Sequence, residues 1–298
     1  MKSPTTTRIP KESKAPADVW NISHPFGHHP LRMHAHLATS VVEQLPPAVL
    51  FLHGYKGYAE WGCWNLMADE LAQSGISCFR LDFSGNGTTT DCPDAIVDLA
   101  AWSENNYTQE VRDALAAMRE IVKAGMRVVL MGHSRGGGIA TIAAATSKNT
   151  IFSCSGLILM ASVSDFGARF PKQENLQAWE KTNRFEVQNQ RTGETYHHQY
   201  SFYEDYLRHR RLLEIRQQAK RIERPVFLTH AEDDLAVSIE ESKVLEKCFV
   251  QSNNVITQWL PGGGHVFGMR EPWPKSRSMP KEMADLVLEI GHFVKCHC

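Results

Sequence analysis

Gly132-His133-Ser134-Arg135-Gly136 sets a serine between two glycines, each two residues away. That spacing suits a hydroxyl that attacks an acyl carbon. The serine must stand on a strained turn that lifts its oxygen clear of the backbone, and side chains two positions to either side would collide there. The flanks agree, because RVVLM before the motif reads as a buried strand and GGGIATIAAATS after it as a small-residue helix. No Gly-Lys-Ser or Gly-Lys-Thr follows, which excludes a phosphate loop.

A serine hydroxyl is a weak nucleophile until a base takes its proton. His265 ends the run Pro261-Gly262-Gly263-Gly264-His265, and those glycines free the loop to carry an imidazole over a sheet edge. An acid must orient that imidazole. Pro225 to His230 reads as a strand that runs into Glu232, Asp233 and Asp234, and all three acids compete for the role. Capping of the helix-like SIEESKVLEKCF would suit Asp233 or Ser238.

The elements that position these residues alternate. The short apolar run at 48–52 reads as a strand buried on both faces, 127–131 as another buried strand, and 76–83, 157–160, 226–229 and 255–260 as further strands. Helical patterns lie between and after them, at 61–73, 106–124, 136–146 and 281–295. This order predicts an α/β fold with a mostly parallel sheet and helices on both faces. Residues 18–44 hold the first strands, on which His34 and His36 share a face. Residues 1–17, rich in Pro, Thr, Lys and Ser, read as a disordered leader to a single domain at 18–298.

One segment breaks the rhythm. Residues 163–222 carry Phe166, Phe170, Trp179, Phe185, Tyr196, Tyr200, Phe202, Tyr203 and Tyr206, with a hairpin turn at 189–194. An insertion this long and aromatic is expected to form a cap over Ser134. About half of its rings are expected to pack the cap's own core.

Bulk properties remove other classes. The formal net charge of -1 gives no electrostatic case for nucleic acid. The basic run at Arg208 to Arg211 reads as a solvated helix face. No stretch approaches a membrane span, and no apolar signal segment opens the chain. Seven cysteines without framework spacing fit reduced thiols and a cytoplasmic address. No catalytic-zinc spacing is present, so no metal or cofactor is expected. The tail, with His292, Cys296, His297 and Cys298, reads as a frayed terminus.

Across 45–295 the chain resembles the α/β-hydrolase superfamily. The resemblance rests on His53-Gly54, the stretch Arg80 to Gly87, GHSRGG, EDDLAV and GGGH. Within it the chain looks like the serine aminopeptidase-like and cinnamoyl-esterase-like branch and the broader dienelactone-hydrolase relatives. Ser134 stands where dienelactone hydrolases proper carry Cys. The resemblance implies the triad order Ser, acid, His. Asp234 then falls on the acid position, with Ala231 replacing the usual Gly, and His230 falls in the wrong order to be the base. It also implies an oxyanion hole from the backbone N–H groups of Tyr55 and Arg135, with His53 structural. Hydrolysis of a small-molecule carboxylic ester is the activity implied. A peptidase or acyltransferase would use the same triad, with Glu60, Glu194 or Glu204–Asp205 to hold a free amine. A non-catalytic receptor would ordinarily lack a triad member.

Overall fold

The computed structural model describes residues 18–22, 29–38, 46–189, 193–274 and 276–298. The leader at 1–17 and the histidines His24 and His28 lie outside the described residues. The chain opens with β1 (Asp18–Ile22), β2 (Leu31–His36) and β3 (Pro47–Leu52), followed by α1 (Trp64–Gln73) and β4 (Ser77–Asp82). Then come α2 (Leu99–Glu104), α3 (Tyr107–Lys123), β5 (Arg127–His133), α4 (Arg135–Ser147) and β6 (Gly156–Met160). The segment after β6 holds α5 (Gln173–Thr182), the antiparallel pair β7 (Phe185–Gln188) and β8 (Thr195–His198), and three short helices. These are α6 (Ser201–Arg208), α7 (Arg210–Leu213) and α8 (Ile215–Ala219). The chain closes with β9 (Val226–Ala231), α9 (Ile239–Glu246), β10 (Val255–Leu260) and α10 (Lys281–His297).

Among the described residues the main sheet has the order β1-β2-β4-β3-β5-β6-β9-β10. β2 runs antiparallel to both β1 and β4, and the strands from β4 to β10 pair in parallel. Period-two alternation divides the core, as a strand buried on both faces requires. Leu50, Leu130, Leu157 and Leu228 enter the layer beneath α3 and α4. Val49, Met131, Ile158 and Phe227 enter the layer beneath α1 and α10.

The boundaries differ from the sequence pattern in instructive places. The first crossover helix begins at Trp64 rather than residue 61, because Gly62 sits at φ 61°, outside helical space. The helix after the serine begins at Arg135, directly on the turn. The C-terminus is not frayed: α10 runs to His297, the Cys298 side chain packs against Gly156, and Arg127 donates to the Cys298 carbonyl. All seven cysteines are unpaired, and burial pushes the Cys78 and Cys154 thiols up to about 12.

The segment between β6 and β9 is rooted in the core. An added Cβ on Gly138 of α4 would stand 2.7 Å from Ile215 and 2.8 Å from Phe166, so this helix turn and the segment's base are in close contact. Phe166 also stacks on Tyr107 of α3, with ring centroids 3.8 Å apart.

Candidate active site

β5 ends at His133 and α4 begins at Arg135, which leaves Ser134 alone on the turn at φ 55° and ψ −119°. A non-glycine residue pays a strain of about 1–3 kcal/mol to hold such dihedrals, so neighbours must fix it. Ser134 N–H donates to the Met160 carbonyl of β6 at 2.9 Å, and its own carbonyl accepts from Gly137 and Val163. The flanking glycines are sterically required. A Cβ on Gly132 would lie 2.2 Å from the Gly136 carbonyl oxygen, and one on Gly136 would lie 2.2 Å from that of Leu52.

His265 stands in a single helical turn after β10, where Gly263 and Gly264 take positive φ. Its Nδ1 lies 2.7 Å from Asp234 Oδ2. The other carboxylate oxygen, Oδ1, accepts from the backbone N–H groups of Ala236 and Val237 at 2.8 and 3.0 Å. Burial acts to raise the Asp234 pKa. The donors from His230, His265 and Val237 outweigh it and hold the carboxyl far below its usual range. Asp233 does different work: its Oδ1 accepts from Gly264 N–H at 2.8 Å and pins the histidine loop. Ser238 caps α9, accepting from Glu240 N–H. Ser134 and His265 line one cavity of about 780 Å³.

The cavity's far wall comes from the segment after β6. Phe166, Phe170, Trp179, Phe185 and Phe202 line it, while Tyr196, Tyr200, Tyr203 and Tyr206 do not. Tyr55 and Arg135 both line it too. The Arg135 guanidinium is held from two sides. Its Nε donates to Glu110 Oε2 at 2.9 Å and its Nη2 lies 2.8 Å from Oε1, a two-point pair. The rings of Tyr107, Phe202 and Tyr55 surround it at 4.6 to 5.3 Å. As the first residue of α4, Arg135 has a backbone N–H without an intrahelical acceptor. Tyr55 N–H lies inside the turn closed by Gly57 N–H and the Gly54 carbonyl. The Tyr55 hydroxyl lies 2.8 Å from His198 Nε2 on β8, and Lys56 Nζ donates to the Gln188 carbonyl on β7. The loop after β3 is therefore tied to the hairpin above the cavity.

His53 is structural in its contacts. It is buried, its Nδ1 bonds the Gly54 carbonyl at 2.9 Å, and Asn86 donates toward its Nε2. Three of the residues suggested for holding an amine are engaged elsewhere. Glu60 pairs with Arg80 and His34, Glu194 accepts from the Tyr196 hydroxyl, and Asp205 accepts from Thr108 and bonds His209.

Sequence reasoning passed over two residues at this site, His133 and Glu110, and set His230 aside as a base. His133 is buried beside His265, and its Nε2 donates to the His265 carbonyl at 2.8 Å. Burial and the neighbouring His265 push its pKa down to about 3, which keeps it neutral. Glu110 anchors Arg135 from the α3 face. His230 reaches Asp234 from the end of β9. The adjacency of His133 to Ser134 and the four-residue spacing of His230 and Asp234 are linear signals, whereas Glu110 meets the site through a tertiary contact. Carboxylates stand beside the His34–His36 pair. His34 lies within 3.1 Å of Asp82 and Glu60, and His36 lies 2.8 Å from Asp69. Among the described residues, no group of three or more His, Cys, Asp or Glu is arranged to hold a metal ion. No helix among them is long and apolar enough to cross a membrane.

The alpha/beta hydrolase family profile matches residues 49–286, the span from β3 into the last helix. The chain belongs to the alpha/beta hydrolase family. This hydrolase-fold chain resembles Est1E from Butyrivibrio proteoclasticus with ferulic acid bound, at a TM-score of 0.65 and 18% identity over 89% of this chain and 94% of that one. It also resembles a soluble variant of monoglyceride lipase from Saccharomyces cerevisiae in complex with a substrate analogue. There the TM-score is 0.68 at 14% identity, over 97% and 98% of the two chains. A third is alpha/beta hydrolase domain-containing protein 10 from mouse, with a TM-score of 0.62 at 18% identity over 94% and 99%. No curated protein matches the chain. These likenesses extend the hydrolase fold across nearly the whole chain.

Proposed function

We propose that the chain is a serine hydrolase that cleaves carboxylic esters through an acyl-enzyme on Ser134. One observation carries the reading. Ser134 stands on a strained turn in the same cavity as His265, whose Nδ1 lies 2.7 Å from Asp234. In this reading His265 Nε2 takes the Ser134 proton as Oγ attacks the ester carbonyl. Negative charge develops on the carbonyl oxygen, where the backbone N–H groups of Tyr55 and Arg135 stabilise it. The C–O bond to the alcohol breaks and the imidazolium returns its proton to the leaving oxygen. Water then repeats the sequence on the acyl-enzyme, releasing the acid and restoring Ser134. Asp234 holds the imidazole tautomer and stabilises the imidazolium. No metal or cofactor takes part.

The ester reading is supported by relatives whose names include a ferulic acid complex and a monoglyceride lipase. The aromatic cavity favours medium-sized acyl or aryl groups over acetyl. Residues 163–222 act as a cap that sets this preference. The unpaired cysteines fit a reducing compartment, the cytoplasm. The test is labelling of wild type and Ser134→Ala by a fluorophosphonate probe, beside a panel of esters of graded acyl size and aminoacyl amides. Labelling and ester turnover that both depend on Ser134 are expected. Preferential cleavage of the amides, or labelling that survives in Ser134→Ala, would overturn the reading.

A further inference from the structure

A second histidine serves the same carboxylate. His230 is the penultimate residue of β9 and has no exposed surface, and its Nε2 faces two acceptors, Asp234 Oδ2 at 3.0 Å and the Val237 carbonyl at 2.9 Å. A nitrogen facing two acceptors must carry the proton. Its Nδ1 faces the Ser242 hydroxyl at 2.7 Å, in the interior of α9. That hydroxyl can donate to Nδ1, which fixes the Nε2–H tautomer. Asp234 Oδ2 therefore accepts from two imidazoles, His265 on the cavity side and His230 on the core side.

We infer that His230 is a positioning residue for His265, acting through Asp234. Its N–H holds the carboxylate rotamer and draws off part of the charge on Oδ2, which weakens the carboxylate's grip on a protonated His265. The inference rests on the serine-hydrolase reading of Ser134, His265 and Asp234. The electrostatic sign follows directly. With the His230 donor removed, the carboxylate attracts the imidazolium more strongly, and His265 keeps its proton to higher pH. The acidic limb of kcat/KM, where His265 must lose a proton to act as base, moves upward. Other ionisable groups facing the pair are His133 beneath the His265 carbonyl, Asp233 on Gly264 N–H, and Glu282 of α10 against Gly263. None of them is altered in the variants below.

Two amide substitutions separate geometry from charge. His230→Gln can place an amide N–H near the Nε2 position and keep the donor to Asp234. His230→Asn reaches only the Nδ1 position, keeping Ser242 and losing Asp234. The expected result is an acidic limb raised by about half a unit or more in Asn, with kcat lowered about tenfold. Gln is expected to stay close to wild type in both. A merely structural role would lower stability in both variants and leave the two limbs together, and equal limbs in folded Asn and Gln proteins would overturn the inference. Wild-type protein carrying ¹⁵N-histidine gives a readout independent of the variants' folding. A His230 signal of the Nε2–H form is expected, and the Nδ1–H form overturns the proposal. Ser134→Ala, assayed alongside, tells the two ideas apart: retained turnover there defeats the hydrolase reading itself, whereas loss there with equal limbs defeats only the role of His230.

Discussion

Two of the aspartate–histidine pairs among the described residues make an instructive contrast. Asp234 and His265 lie in the loops that follow β9 and β10, whereas Asp82 ends β4 and His34 lies on the antiparallel neighbour β2. Their contacts are similar in length, 2.7 and 3.1 Å. Their surroundings are opposite. The His265 side chain keeps 23% of its surface exposed, in a cavity shared with Ser134. The His34 ring is buried, with Asp82 on one nitrogen and Glu60 on the other. Asp82 also accepts from Arg32, Asn86 and the backbone of Ala59. Both carboxyls are held low against the opposing effect of burial, Asp82 at about 2. An aspartate–histidine pair is thus no mark of catalysis by itself. What separates the two is that the His265 ring borders a cavity that it shares with a serine on a strained turn.

Substitutions can break that contrast at either end. The largest effect is expected at Ser134→Ala, which should lower ester turnover by about 10⁶ while leaving the urea unfolding midpoint near wild type. More than a few per cent of residual turnover, with the protein pure, would remove Ser134 from the nucleophile's role. Next is the matched pair of Asp234→Asn and Asp82→Asn. The first should cost about 10⁴ in kcat through the wrong imidazole tautomer. The second should leave kcat of the folded protein nearly unchanged but lower unfolding free energy by about 3 kcal/mol, since Arg32 and His34 lose their counter-charge. A large kcat loss at Asp82 would erase the contrast. Asp233→Asn, which touches only the Gly264 loop anchor, should cost far less than Asp234→Asn.

A smaller effect is expected at the cap. Phe166 and Ile215 seat its base on α4, so removing the whole segment would strip the core. Replacing the 185–198 hairpin by a short linker should reorder kcat/KM across acyl sizes and leave acetyl-ester turnover within a few-fold. An unchanged ranking in a folded variant would move the pocket to the loops at Tyr55–Trp64 and 85–98. Tyr55→Phe removes only the bond to His198, and should lower stability by about 1 kcal/mol and kcat by a few-fold.

The smallest effect is a pH dependence. Asp82 is at about 2 folded against 3.8 unfolded, so its stabilisation is complete above the unfolded value and is lost as pH falls through the folded one. The stability gap between wild type and Asp82→Asn should therefore narrow between about pH 5 and pH 2. A gap that stays constant in urea titrations would show that Asp82 acts through shape rather than charge.

Much of this was written in the linear pattern. Strand runs alternating with helix runs determined a parallel sheet, because a strand buried on both faces has no other reading that spaces helices between its neighbours. Gly132 and Gly136 marked the serine turn, since their missing side chains answer a local collision that the motif itself creates. Tertiary structure decided the rest. It set Glu110 on Arg135 and tied Tyr55 to a hairpin that follows it by 143 positions. Neither of these contacts leaves a period or a spacing in the chain. Each depends on how far two separate elements extend before they turn, and a shift of one residue in a strand reverses the face on which its side chain emerges.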